Sequence, residues 1–147
     1  MMIIMRAFPV LLLLCAIALA PLPASAATPA MQAASHKIMA KALATPKPEA
    51  AKFLLEQAIV ADPANAAAFA ALGDLYVKMK QPPLAMKYYE IAQTIDPVNV
   101  KALAGAARLD LATGKVDKAK ANLVILKKTC PTCSATRELE TALSHSN

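Results

Sequence analysis

Pro63, Pro97 and Pro131 are evenly spaced along the chain. Ala51, Ala85 and Ala119 keep the same interval, as do Leu55, Tyr89 and Leu123. Alanine coincidences carry little information in an alanine-rich chain. Proline makes up about 5% of ordinary sequences, so two matches at prescribed offsets have a chance of roughly 1 in 400. Asp62 and Asp96 precede the first two of these prolines, and Cys130 takes their place before the third. A period of about 34 residues marks stacked supersecondary units that bury apolar surface against one another and not around one closed core.

The unit from Ala66 to Asn99 shows what is repeated. It reads F-A-A-L-G-D-L-Y from Phe69 to Tyr76 and continues through Ala85, Tyr89, Ala92 and Pro97. These residues resemble the tetratricopeptide repeat, with its large, Leu, Gly, Tyr, Ala, aromatic, Ala and Pro positions. The residue chemistry independently suggests a helical hairpin. Phe69, Leu72 and Tyr76, like Tyr89 and Ala92, recur at three- and four-residue steps, and Gly73 and Ala85 are small where two helices must approach. Pro97 should end the second helix near Thr94 or Ile95. Breaks at Thr45-Pro46-Lys47-Pro48, Gln81-Pro82-Pro83 and Thr113-Gly114-Lys115 keep the same register.

The resemblance implies an all-α fold in which three antiparallel helix hairpins, over residues 32–65, 66–99 and 100–133, build a short right-handed superhelix. A capping helix from about Pro131 to Ser144 should close the array, the segment 134–147 holding this cap and the tail after it, with Leu139, Ala142 and Leu143 as its apolar edge. The flanking units depart from the pattern: Ser35 replaces a large residue, Met39 a small one, and Ala106, Ala107 and Asp110 stand at the Leu, Gly and Tyr positions. Terminal units of a stacked array tolerate this because their outer faces meet solvent. Phe53, Phe69, Tyr76, Tyr88 and Tyr89 fall at spacings expected of the helix core.

Residues 1–26 have the parts of a cleavable export signal. Arg6 is their only charge, Phe8 to Ala20 are apolar, and Ala24 and Ala26 supply small side chains before an expected cut after Ala26. Thirteen apolar residues fall short of the roughly 20 needed to span a bilayer, so the remainder should carry no stable membrane anchor and should be periplasmic or secreted. A lipid anchor at Cys15 is disfavoured by the bulky Leu14 before it. Removing the segment leaves 15 basic and 10 acidic residues, a net charge of +5. These charges are interleaved, without a dense basic stripe or a tryptophan, which argues against nucleic-acid binding.

Cys130-Pro131-Thr132-Cys133 is the one motif with redox or metal potential. In an oxidising compartment the pair is read first as a structural disulfide closing a tight loop, with an exchanging thiol pair or free thiols as alternatives. Zinc needs about four ligands, and His36 and His145 lie far away in sequence. A haem attachment site would need histidine where Ser134 stands. Gly73, Gly105 and Gly114 are too dispersed for a phosphate-cradling loop, and two distant histidines offer little general-base material. The chain is therefore expected to be non-enzymatic and to need no cofactor.

Function should then reside in a surface that binds another protein or peptide. In tetratricopeptide arrays the first helices line a concave groove. The register implies His36, Ala40 and Leu43 in unit one, Ala67, Ala70, Asp74, Val77 and Lys78 in unit two, and Lys101, Ala104, Arg108 and Leu111 in unit three. Repeats that clamp a chaperone's C-terminal carboxylate need lysine and asparagine where this chain has His36, Ala40, Ala71, Lys101 and Gly105. Only Lys101 fits, so that clamp is not expected. Self-association through incompletely capped ends is a further expectation.

Overall fold

The computed structural model describes residues 27–145, so the expected export signal over 1–26 lies outside the described residues. Among the described residues seven helices follow one another: α1 (Pro29–Leu43), α2 (Pro48–Ala61), α3 (Ala66–Lys78), α4 (Pro82–Ile95), α5 (Val100–Ala112), α6 (Val116–Thr129) and α7 (Ser134–Ser144). No strand occurs among the described residues. Nor is any described helix long and apolar enough to cross a membrane.

Helices α1 and α2, α3 and α4, and α5 and α6 pair as hairpins. Each hairpin then packs on the next through α2 against α3 and α4 against α5. The first helices also touch one another, α1 with α3 and α3 with α5, whereas α2, α4 and α6 make no such mutual contact. Helices that meet on one side and splay on the other curve the array, so α1, α3 and α5 form its inner face. Helix α7 continues that series by packing on both α5 and α6.

Local sequence explains the helix ends. Asp62-Pro63-Ala64-Asn65 and Asp96-Pro97-Val98-Asn99 are equivalent junctions. Asp62 Oδ1 accepts from Ala64 N at 3.0 Å and Asp96 Oδ1 from Val98 N at 3.2 Å. Asn65 and Asn99 then cap α3 and α5 by accepting from Ala68 N and Ala102 N, each at 3.1 Å. An N-cap amide satisfies a backbone donor that the first helical turn leaves free. Proline ends one helix, aspartate folds the turn and asparagine starts the next.

Two boundaries differ from the sequence expectation. Pro82 and Pro83 belong to the first turn of α4, where proline's missing N–H has no helical acceptor to lose. Helix α7 begins at Ser134, because Pro131 and Thr132 form the turn that enters it. Between α5 and α6 the turn passes through Gly114 at φ +73°, and the equivalent turn of the second hairpin puts Lys80 at φ +58°. The left-handed region costs a lysine about 1 kcal/mol or more relative to glycine, so the second hairpin accepts local strain that the third avoids.

The core has two parts divided by α5. One unites the first two hairpins and includes Leu55, Leu72, Tyr76, Tyr89, Ala102 and Ala106. The other joins the third hairpin to α7 through Leu103, Ala107, Leu126, Leu139 and Leu143. Phe53 is not core but 59% exposed, on the outer side of the first hairpin beside Met31 and Ile38 of α1. The apolar edge of α7 is Leu139 and Leu143, with Thr136 buried beside them and Ala142 exposed.

Ser35 proves to be a structural residue. Its hydroxyl donates to Ala58 O at 2.7 Å and accepts from Asn65 Nδ2 at 2.8 Å, fully buried. The first hairpin is thereby tied to the cap of α3. Ser35→Ala is expected to destabilise the protein by about 1–3 kcal/mol, because a buried carbonyl and a buried amide each lose a partner. Chemical denaturation of the variant against the wild type measures this, and an unchanged midpoint would show the link to be energetically idle.

Candidate functional site

The inner face is organised around Tyr89, which lies on α4 but reaches between α3 and α5. A Cβ on Gly73 would lie 2.6 Å from the Tyr89 ring, and one on Gly105 would overlap the ring. Glycine at both positions lets one aromatic side chain, only 1% exposed, lie against two first helices at once. Its hydroxyl donates to Asp74 Oδ1 at 2.6 Å. The other oxygen of Asp74 pairs with Lys101 Nζ at 3.2 Å. Burial, followed by the hydrogen bond to Asp74, pushes the Tyr89 phenol well above its usual range.

Of the residues assigned to the groove by register, His36, Ala40, Leu43, Val77, Lys78, Lys101 and Arg108 are exposed, and Asp74 and Ala67 are half-buried. Ala70 and Ala104 are buried instead, because the close approach of successive first helices turns these positions into helix-to-helix contacts. Leu111 is half-buried and packs on the core shared with α7. Asp74 and Lys101 hold each other, so neither presents an uncompensated charge.

Arg108 Nη2 lies 3.5 Å from Glu138 Oε2 of α7, an exposed and therefore weak pair. Two recesses meet at Asp74 and Lys78. One of about 290 Å³ is bounded by Val77, Tyr89, Gly105, Arg108 and Leu109. The other, of about 130 Å³, is bounded by Leu43, Leu55, Ala71 and Lys101. The face thus offers small hollows of mixed polar and apolar lining, rimmed by Lys78, Lys101 and Arg108, with Asp74 and Glu138 as the opposing carboxylates. The sequence register brought these side chains to one face. It did not show the part of Tyr89, whose aromatic position reads as ordinary core until the glycines of two different units are seen to flank it.

A separate concavity lies among α4, α5 and α6. Tyr76 and Tyr88 stack in the second hairpin with ring centroids 5.2 Å apart and planes within 4°. Their equivalents one repeat further on, in the third hairpin, are Asp110 and Asn122. A polar recess of about 250 Å³ bounded by Glu90, Gln93, Asp110, Lys115 and Asn122 stands there.

Cys130 and Cys133 lie at the joint between α6 and α7, both half-exposed and both free cysteines. The Cys133 thiol donates to Cys130 O at 3.1 Å and lies 3.3 Å from Thr136 Oγ1. The buried Thr136 hydroxyl also reaches Cys130 O at 2.6 Å. Hydrogen bonding from the Cys130 thiol, and then from Thr136, holds the Cys133 thiol down to about 7. The Cys130 thiol is pushed up, first by that same bond. Among the described residues no three His, Cys, Asp or Glu side chains converge as a metal site would require.

The architecture is that of tetratricopeptide-repeat domains. The TPR domain of Arabidopsis OM64 superposes with a TM-score of 0.70 at 20% identity, over 80% of this chain and 99% of that one. The second TPR domain of human RPAP3, solved in complex with the HSP70 peptide SGPTIEEVD, gives 0.65 at 26% identity over 81% of this chain and 98% of that one. The Yersinia enterocolitica type III secretion chaperone SycD, in complex with a peptide of the translocator YopD, gives 0.57 at 20% identity over 80% of this chain and 86% of that one. No family model matches the chain, and no curated protein matches it.

Proposed function

We propose that this chain is a non-enzymatic adaptor or assembly factor of the cell envelope, exported by residues 1–26, which holds an extended peptide or a helix of another protein in the groove of α1, α3 and α5. The observation that carries this reading is the pair of adjoining hollows around Asp74 and Lys78, rimmed by three cationic side chains on successive first helices. Similarly built domains of RPAP3 and SycD were solved holding peptides. With two carboxylates against three cations, the rim favours a ligand carrying acidic residues, since complementary charge steers encounter and fixes register.

Reversing Asp74 would disturb Tyr89 as well as the groove, so the better probes are Lys78→Glu and Arg108→Glu. Co-purification from envelope extracts, followed by titration of the captured segment, should show each reversal weakening binding by roughly tenfold, the size expected when like charges meet across an interface. Equal recovery of every partner by the wild type and both variants would remove this groove from consideration.

End-to-end self-association is a second reading, favoured by apolar side chains on the outer side of the first hairpin. Met31 is 45% exposed and Val60 78%, and with Ile38 and Phe53 they border a shallow depression of about 600 Å³. If copies meet there, light scattering should show a mass that rises with concentration in the wild type and stays monomeric in Phe53→Glu. A wild type that is monomeric throughout would rule this reading out.

A further inference from the structure

We propose that Cys130 and Cys133 form a thiol–disulfide exchange site at the joint between the third hairpin and α7, with Cys133 as the attacking thiol and Cys130 as the resolving one. This goes beyond peptide binding and does not depend on it.

The repeat register carries the argument. Cys130 and Cys133 stand one repeat after Asp96 and Asn99, and two repeats after Asp62 and Asn65. All three junctions make the same turn: the N–H of the fourth residue meets the carbonyl of the first at 3.1 Å for Asn65 to Asp62, 3.0 Å for Asn99 to Asp96 and 3.4 Å for Cys133 to Cys130. At the second junction the two side chains are in contact, with Asn99 Nδ2 donating to Asp96 Oδ2 at 3.4 Å. The cysteines therefore occupy two positions that this turn brings face to face.

The substitution also gives up what those positions ordinarily do. Asn65 and Asn99 cap the helices they begin, whereas Cys133 makes no side-chain cap to α7. Replacing a good N-cap costs about 1 kcal/mol, so helix stability does not account for the pair. Reactivity does. The Cys133 sulfur sits at the start of a helix, beside the backbone amides of Ala135 and Thr136, the Thr136 hydroxyl and the Cys130 thiol. A thiol held at about 7 is about half ionised at neutral pH. While Cys133 is protonated, the Thr136 hydroxyl donates to Cys130 O. Once Cys133 ionises, the same hydrogen can turn to the sulfur. Both thiols are half-exposed, so a disulfide in solution can reach them.

The co-reactant is a disulfide R–S–S–R of the glutathione or protein class. The Cys133 thiolate attacks one sulfur, forms a mixed disulfide and expels one R–S⁻. Cys130 passes its proton to that leaving thiolate and attacks the Cys133 sulfur, expelling the second R–S⁻. The products are the Cys130–Cys133 disulfide, one thiol and one thiolate: the protein pair is oxidised by two electrons and the co-reactant is reduced by two.

The test equilibrates the full chain in glutathione buffers of graded reduced-to-oxidised ratio, followed by acid quench, alkylation and intact mass. The oxidised fraction should pass from low to high across the series. In Cys130→Ser the glutathione adduct on Cys133 should accumulate, and at neutral pH it should form roughly tenfold faster than the adduct on Cys130 in Cys133→Ser, following the difference in thiolate fraction moderated by nucleophilicity. Thr136→Val should slow the Cys133 reaction severalfold. A wild-type pair that stays fully oxidised or fully reduced at every ratio overturns the proposal, as do equal adduct rates in the two serine variants. The wild-type titration needs no variant to fold.

Discussion

Replacing Tyr89 by alanine is expected to destabilise the protein by roughly 3–5 kcal/mol, the cost of emptying a large aromatic site in a packed interior. That is a large share of a domain's total stability, which is on the order of 5–15 kcal/mol. The effect should exceed that of other single core truncations here because Tyr89 contacts α3 and α5 at once and anchors the Asp74–Lys101 pair. Its loss opens both the second hairpin and the seam to the third. Urea unfolding followed by circular dichroism measures it.

The glycines provide a sharper check. In the wild type, Gly105→Ala should cost about 1–3 kcal/mol, since the added methyl meets the ring. In the Tyr89→Ala background the same change should be neutral or stabilising, because the obstacle is gone and alanine suits a helix better than glycine by about 0.5–1 kcal/mol. Equal costs in both backgrounds would mean that the ring does not rest on Gly105. Alkaline pH tests the hydroxyl. The folded-state pKa of Tyr89 lies above that of an unfolded tyrosine, about 10. Its contribution is therefore intact below about pH 10 and declines as the pH rises from there towards the folded value. Tyr89→Phe should lack that component of alkaline destabilisation.

The second large effect is expected at Leu139, whose side chain from α7 is 2% exposed against Leu103 and Leu126. Leu139→Ala should cost about 2–5 kcal/mol, but as local undocking of the cap, because in a linear array each element leans only on its neighbours. Helix α7 has 11 residues, too few to stay helical in water once released. Hydrogen exchange should accelerate across 134–144 while α1 to α4 keep their protection, and the uncovered leucines should promote association. Unchanged exchange in α7 would show that the cap is held elsewhere, for instance by the Lys127–Glu140 and Arg108–Glu138 pairs.

Much of this architecture was legible from Pro63, Pro97 and Pro131. Their even interval specifies a helical hairpin repeated along a line, and proline stops helices wherever it lacks an N–H to offer. Helix α4 accordingly ends at Ile95, as its sequence suggests. The face of the cations was legible only with the resembled repeat's register: the helical period of about 3.6 puts Lys101 and Arg108 on one side of α5, and the register sets Lys78 of α3 on the same face.

Contacts between units were not legible, because nothing local distinguishes a residue facing solvent from one facing the next repeat. Ala70 and Ala104 belong by register to the inner face, yet they are buried where neighbouring helices meet, and Phe53 keeps a core spacing on an open side. Ser35 looks like a defect in its own unit and is the acceptor for a cap in the next. By itself, the sequence determined the repeat and its hairpins, which depend on spacing along one chain, and the resemblance to a repeat family added the face bearing the cations. Tertiary structure decided that Tyr89 bridges two glycines and that Asp74 and Lys101 neutralise each other, because those relations depend on how separate helices approach in space.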